Sequence, residues 1–289
     1  MARFLLVGAR GMLGRRLHET LGAAGDLVAS GRTESEGVRV LDVTDAAAVD
    51  AAVCEVRPDW IVNASAYTAV DRAEDEQQAA FAVNAEGPEH LARAAARHGA
   101  RLLHVSTDFV FDGEKESAYV ETDATNAIGV YARSKEEGER RVAAQLPEAH
   151  AIVRVAWLYG PDGGNFVATM LRLGRERDRL GVVDDQHGTP TFTRDAAAAI
   201  TAVIEADLRG VIHAANRGAT TWCGLARRAL ELAGCATPVD GITTADYPTP
   251  ARRPKNSALK NRVLEQTIGD PMRTWEDALT DYIAEMASP

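Results

Sequence analysis

A continuous apolar run, Phe4–Val7, and further strand-like stretches at Leu27–Ser30, Val38–Leu41, Trp60–Asn63, Leu102–Ser106 and Ile152–Val155 punctuate the first half of the chain. Runs without polar alternation are strands buried on both faces. The stretches between them carry helical spacing. One runs through Leu17 and Leu21 to Gly25, one begins near Asp45, one ends near His98, and one opens at Tyr131. Strand–helix alternation predicts an α/β fold with a Rossmann-like doubly wound parallel sheet. Asp71–Gln78 reads as a polar loop entering the helix that ends near His98, and Phe109–Tyr119 as a second loop. Beyond Trp157-Leu158-Tyr159-Gly160 the alternation breaks, and Gly and Pro become frequent. Helices are predicted from Asn165-Phe166, over Arg194–Glu205, over Trp222–Leu232 and at Trp275–Met286, with strands at Val182–Val183 and Val211–His213. The pattern predicts one domain over 1–160, rejoined by parts of 190–215, and a smaller one made mainly of 161–289.

Composition narrows the class of partner. The 289 residues are 46% hydrophobic, enough for a sizeable core, and the net charge of −10 argues against nucleic acid or an anionic membrane surface. Cys54, Cys223 and Cys235 have neither paired nor metal-like spacing, as expected of reduced thiols in a cytoplasmic protein. Neither a signal peptide nor a membrane-spanning run is expected.

The chemistry begins behind the first strand. Gly8-Ala9-Arg10-Gly11-Met12-Leu13-Gly14 lies between strand and helix, the context of a dinucleotide fingerprint. One glycine makes the turn, one lets backbone approach a pyrophosphate, and one lets helix pack on strand. The first domain is therefore predicted to bind NAD(P). The second strand ends in Gly31-Arg32, where a carboxylate would hold a ribose 2′-hydroxyl; an arginine suits a 2′-phosphate. Asp42 either meets the adenine or caps the helix begun near Asp45.

Tyr131 and Lys135 stand four residues apart, one turn apart on a helix face. An ammonium beside a phenol favours the phenolate, and a tyrosine so tuned exchanges a proton near neutral pH. Thr107, at the end of the fifth strand, is placed to hydrogen-bond a substrate carbonyl. Asn84 is either an exposed helix residue or a buried asparagine that fixes active-site backbone. His104 reads as a packed strand residue.

Glycine turn, Thr107, Tyr131 and Lys135 together resemble the extended short-chain dehydrogenase/reductase superfamily. Closer still, Asn63–Asp71, Ser106–Gly113, Asn165-Phe166, Asp185–Thr191 and Tyr247–Pro254 resemble the dTDP-4-dehydrorhamnose reductase family. The resemblance implies reduction of the 4-keto group of dTDP-4-dehydro-6-deoxy-L-mannose to dTDP-L-rhamnose. It gives Tyr131 the role of proton donor, has Lys135 lower the phenol's pKa and hold the nicotinamide ribose, and has Thr107 orient the carbonyl. Gly8, Arg10, Gly11, Met12, Leu13 and Gly14 would serve the pyrophosphate end of the cofactor, Arg32, Asp42 and Val43 its adenosine end. Ala64, Ala66, Tyr67, Thr68 and Val105 would line it further along. Asp108, Phe109, Trp157 and Asn165 would join Thr107 and Tyr131 around the sugar. Many relatives have tyrosine at the position of Phe109. Some form a Mg²⁺-bridged homodimer through an acid where this chain has Arg15-Arg16, so no metal is expected here. NADPH is the expected cofactor, with NADH an accepted substitute. Alternatives are a related nucleotide-sugar 4-ketoreductase of deoxysugar biosynthesis, and a regulatory subunit resembling that of methionine adenosyltransferase.

Overall fold

The computed structural model describes residues 1–287. Seven strands form its main sheet: β1 (Arg3–Val7), β2 (Asp26–Gly31), β3 (Val38–Val40), β4 (Trp60–Asn63), β5 (Arg101–Thr107), β6 (His150–Val155) and β7 (Gly210–His213). Their order is β7-β6-β5-β4-β1-β2-β3, and all pairs are parallel. The order reverses at β1, which leaves a crevice at the carboxyl ends of β1 and β4, where open α/β sheets bind ligands.

Both faces of the sheet are covered. Leu17 and Leu21 of α1 (Met12–Ala24) share one apolar core with Leu6 and Val62. On the other face, α2 (Ala46–Val56) contributes Val49 and Val53 to a core with Leu5, Ile61 and Leu102. The stretch expected as a loop, Asp71–Gln78, carries a 3₁₀ turn at Arg72–Glu74, and the helix expected to end near His98 is divided. It holds α3 (Gln77–Phe81), a π-helical turn at Ala82–Glu86, and α4 (Gly87–His98). Pro88 has no N–H to give to the carbonyl of Asn84, so the regular ladder fails there. The expected loop after β5 opens with one 3₁₀ turn, Asp108–Val110.

The catalytic candidates ride on α5 (Val130–Gln145). This helix crosses the π-helical turn so closely that a Cβ on Gly138 would stand 2.1 Å from the Asn84 carbonyl oxygen. Glu139 meets Arg154 of β6 in a bidentate pair at 2.6 and 2.9 Å, and both residues are buried. Further along lie α6 (Phe166–Glu176), α7 (Thr193–Glu205), α8 (Trp222–Leu232), α9 (Arg262–Thr267) and α10 (Trp275–Ala287). Ala196, Ile200 and Val203 of α7 pack into the α1 side of the sheet. Tyr159, Val167, Phe192, Leu225 and Tyr282 form a separate core under α6, α8 and α10.

A buried guanidinium left without its carboxylate is costly. Glu139→Gln is therefore expected to lose about 3–5 kcal/mol, the usual effect of breaking a buried pair. Urea unfolding with an unchanged slope measures it. A loss no larger than the roughly 0–1 kcal/mol typical of exposed pairs would show that this pair does not anchor α5.

Candidate active site

The carboxyl ends of β1, β4, β5 and β6 open on one cleft of about 860 Å³. The glycine turn forms one end. Gly8 has φ +87°, and a Cβ there would meet the Ser65 nitrogen at 2.7 Å, so both conformation and space require glycine. A Cβ on Gly14 would meet the Gly8 carbonyl at 2.0 Å; Gly14 thus serves helix–strand packing and does not line the cleft. Gly11 caps α1 with no side-chain bond, and no acid lies in the first turn. No side chain competes there for an anion approaching the N–H groups.

Arg10 and Arg32 both line this end, and Arg10 Nη1 donates to Thr33 Oγ1 at 2.5 Å. Val43 lines it too. Asp45, not Asp42, caps α2, accepting from the Ala47 and Ala48 N–H groups at 3.0 Å. Asp42 also lines the cleft; its Oδ1 accepts from the backbone N–H and hydroxyl of Thr44, which hold its pKa down. These features fit a dinucleotide: an uncapped helix N-terminus for the pyrophosphate and two guanidinium groups beyond it. Met12, Leu13, Ala64, Ala66, Thr68 and Val105 continue the wall.

At the other end stand Thr107, Asp108, Tyr131, Lys135 and Trp157. Thr107 Oγ1 donates to Asp108 Oδ1 at 3.0 Å, accepts from the Phe109 N–H at 3.2 Å, and hydrogen-bonds the Tyr131 phenol. The expected lowering of the phenol's pKa is not what the structure holds. The ring of Tyr131 is partly exposed, but its oxygen is enclosed, and burial pushes its pKa up to about 12. Lys135 Nζ instead donates to the Val105 carbonyl at 2.7 Å and lies 3.2 Å from His104 Nε2. Burial brings this lysine down to about 8. A phenol with a raised pKa holds its proton until an alkoxide forms, which suits reduction.

Asn84 is the buried alternative. Its Oδ1 accepts from the Tyr67 N–H at 2.8 Å, and its Nδ2 donates to the Tyr67 carbonyl and Ser134 Oγ, both at 3.0 Å. The π-helical turn thus joins the loop after β4 to α5, and such turns recur at functional sites.

Besides Gly14, three expected cleft residues stand elsewhere. Tyr67 donates its hydroxyl to Glu76 Oε2 at 2.6 Å. Phe109 packs edge-on against Tyr131, with centroids 6.1 Å apart. Asn165 caps α6, and its amide donates to the Gly160 and Gly163 carbonyls at 2.8 and 3.1 Å. Asn165 therefore shapes the loop whose Gly163 and Gly164 line the cleft, and does not line it itself. Trp157 is held at φ +42°, stacked on Trp222 with centroids 3.5 Å apart. A Cβ on Gly188 would strike its indole at 2.2 Å.

Two features had no signal in local sequence. Asn63 and His104 lie behind Lys135, and Arg16 pairs with Asp162 at 2.7 Å and Glu285 at 2.6 Å. Only the fold brings those partners together.

Sheet order, glycine turn and the Thr107–Tyr131–Lys135 set define a nucleotide-dependent oxidoreductase of the short-chain dehydrogenase/reductase type. Residues 2–288 match the family model described as RmlD substrate binding domain, and the chain belongs to that family. A dTDP-4-dehydrorhamnose reductase of Streptomyces griseus is 46% identical over 287 residues, covering 96% of this chain and 92% of its own. The crystal structure of a dTDP-4-dehydrorhamnose reductase from Clostridium acetobutylicum superposes with TM-score 0.94 at 39% identity, covering 99% of this chain and 100% of that one. A Bacillus anthracis dTDP-4-dehydrorhamnose reductase solved in complex with NADP gives 0.93 at 35% identity, covering 98% and 99%.

Burial pushes the Asp108 carboxyl up to about 7, only partly offset by hydrogen bonds with Ser257 and Thr107. A carboxyl with a raised folded pKa costs nothing below its unfolded value and costs progressively more as pH rises towards its folded value. Asp108→Asn, neutral throughout, should therefore match the wild type in melting temperature near pH 4 and exceed it at pH 8. Between those two pKa values the gain grows by at most about 1.4 kcal/mol for each step of one in pH. Parallel melting curves across that range would show that Asp108 does not titrate with folding.

Proposed function

We propose that this protein reduces the 4-keto group of dTDP-4-dehydro-6-deoxy-L-mannose to give dTDP-L-rhamnose, using NADPH in preference to NADH. One observation carries the reading: Thr107, Tyr131 and Lys135 converge at the sugar end of a cleft whose other end is a dinucleotide cradle. The bound cofactor would supply the hydride. The protein's share is positioning and the proton. Thr107 orients the ketone oxygen towards Tyr131, which protonates the developing alkoxide. Lys135 would hold the nicotinamide ribose, and Asp108 and Trp157 would border the sugar. The raised phenol pKa keeps Tyr131 protonated until the transition state needs its proton. A complete set of these groups argues against a purely regulatory role. The reading includes no Mg²⁺, because the place of the family's acid is taken by Arg15-Arg16, whose charge repels a cation, and Arg16 itself pairs with Glu19, Asp162 and Glu285.

Tyr131→Phe is expected to keep cofactor affinity and lose roughly 10²-fold or more in kcat, the usual effect of removing a general acid. Turnover against a panel of dTDP-4-keto-6-deoxy sugars measures it and separates this substrate from its stereoisomers. Near-normal turnover in the variant would remove Tyr131 from the mechanism.

Cofactor choice rests on Arg32, which lines the cleft where β2 ends without a carboxylate. Its planar fork suits a 2′-phosphate. A charge-assisted pair of roughly 1.5–3 kcal/mol corresponds to about one to two orders of magnitude in kcat/KM. Arg32→Ala should erase most of the NADPH preference while sparing NADH. A wild type that favours NADH, or a ratio unmoved by the substitution, would refute the assignment.

A further inference from the structure

Behind Lys135, and out of the cleft, lies a buried pair of side chains that the reaction as described does not use. Asn63 ends β4 and His104 lies in β5, each fully enclosed. Asn63 Nδ2 is 3.0 Å from His104 Nδ1, and His104 Nε2 is 3.2 Å from Lys135 Nζ.

The partners fix where the protons are. Asn63 Oδ1 accepts from the Ser65 backbone N–H at 3.0 Å and from the Ser65 hydroxyl at 2.6 Å. A backbone N–H can only donate, so the Asn63 amide cannot be turned round. Its NH₂ therefore donates to His104 Nδ1, which must be bare. A neutral imidazole with a bare Nδ1 carries its proton on Nε2. Burial and the nearby lysine keep this ring neutral by holding its pKa well below the ordinary value. The Nε2–H thus points at Lys135 Nζ. An ammonium has no lone pair with which to accept it, whereas a neutral amine has one.

We propose that Asn63 and His104 are positioning residues for the reduction described above, presenting a ring N–H to Lys135 that favours its neutral amine and so primes the lysine to release a proton. The Val105 carbonyl accepts from the same nitrogen at 2.7 Å and holds it in place. Tyr131, one turn back on α5, loses its O–H proton to the substrate oxygen in each cycle. The Lys135 ammonium, which lines the same cleft, then gives up an N–H proton that reaches the phenolate through solvent there. The amine left behind accepts the His104 Nε2–H, and solvent in the cleft returns a proton to it. Other charged groups around the lysine act differently. Glu139, on its own helix, favours the ammonium but is itself engaged by Arg154 from β6, and Asp108, from the 3₁₀ turn, faces Tyr131.

The proposal rests on Lys135 serving Tyr131, but its first test needs no turnover. NMR of the holoenzyme with nitrogen-labelled histidine reports which ring nitrogen bears the proton, the signal being assigned by its loss in His104→Gln. A proton on Nε2 with Nδ1 bare is expected; a proton on Nδ1 overturns the proposal. The second test follows the titration of Lys135 through its Cε resonance. Asn63→Asp replaces the amide donor with an acceptor, and Asn63→Ala removes it without adding charge. Either lets the ring turn a bare Nε2 towards the ammonium. The lysine pKa should rise in both by roughly one unit or more, the scale of reversing a hydrogen bond to an ionisable group, and the alkaline limb of kcat should follow. An unmoved lysine, or one that moves only in Asn63→Asp where the added charge alone suffices, overturns the proposal. If a variant fails to fold, the wild-type ring assignment decides. Failure of the substrate reading would look different: no turnover of the sugar, with the ring proton still on Nε2.

Discussion

The site depends on how closely α5 approaches the carboxyl end of the sheet. Gly138 lets the helix touch the backbone of the π-helical turn, where any larger residue would collide with the Asn84 carbonyl. One turn towards its start, Ser134 is tied to Asn84, and Lys135 reaches Val105. One residue beyond Gly138, Glu139 is clamped to Arg154. Small residue, amide and ion pair act within the short stretch of helix from Ser134 to Glu139. They hold Tyr131 against Thr107 without any contact of their own to substrate. A buried ion pair contributes less to stability than its strength suggests, because both charges must leave water. Here its geometric role matters more, since a bidentate fork fixes the angle as well as the separation of helix and strand.

What could be read from the chain follows from how local each determinant is. The buried strands were legible because a parallel sheet covered on both faces favours near-continuous apolar runs, and β4 has the bounds that Trp60–Asn63 announces. Tyr131 and Lys135 were legible because helical spacing alone puts them on one face. The environment of that pair was not. Its pKa values depend on burial, and Lys135 is drawn to Val105 and His104, residues of a strand distant in sequence. His104 looked like an ordinary strand residue because its partners, Asn63 and Lys135, lie on two other elements. Asn165 shows the converse error. Its place at the start of a helix was readable, but a cap spends its amide on backbone and has little left for a ligand.

The second core extends the same logic across the cleft. Trp157 adopts a left-handed conformation that costs a bulky residue energy. Trp222 lies flat on its indole, and Gly188 leaves room beneath. Because Trp222 opens α8, the far wall of the cleft is set by packing within that core and not by the sheet. Arg16 makes a comparable link at the dinucleotide end, holding Asp162 beside the glycine turn and Glu285 of α10. The two ends of the cleft are therefore fixed by different forces, stacking at one and charge pairing at the other. Salt should weaken only the second, and then little, since Arg16 is mostly enclosed.

Burial sets the electrical character of the reacting end. It raises Tyr131 to about 12 and Asp108 to about 7, and lowers Lys135 to about 8. Each change favours the neutral form, as expected where few counter-charges offset desolvation. A ketone reduced in such surroundings develops its negative oxygen among groups that are mostly uncharged but rich in protons. Stabilising that oxygen then falls to short hydrogen bonds from fixed donors, which gain strength where water is scarce. In the proposed reaction Tyr131 is such a donor and is held before substrate arrives, while the one hydroxyl proton of Thr107 is already given to Asp108. The reorganisation that water would need at the moment of reaction has already been done by the folding of α5 onto the sheet.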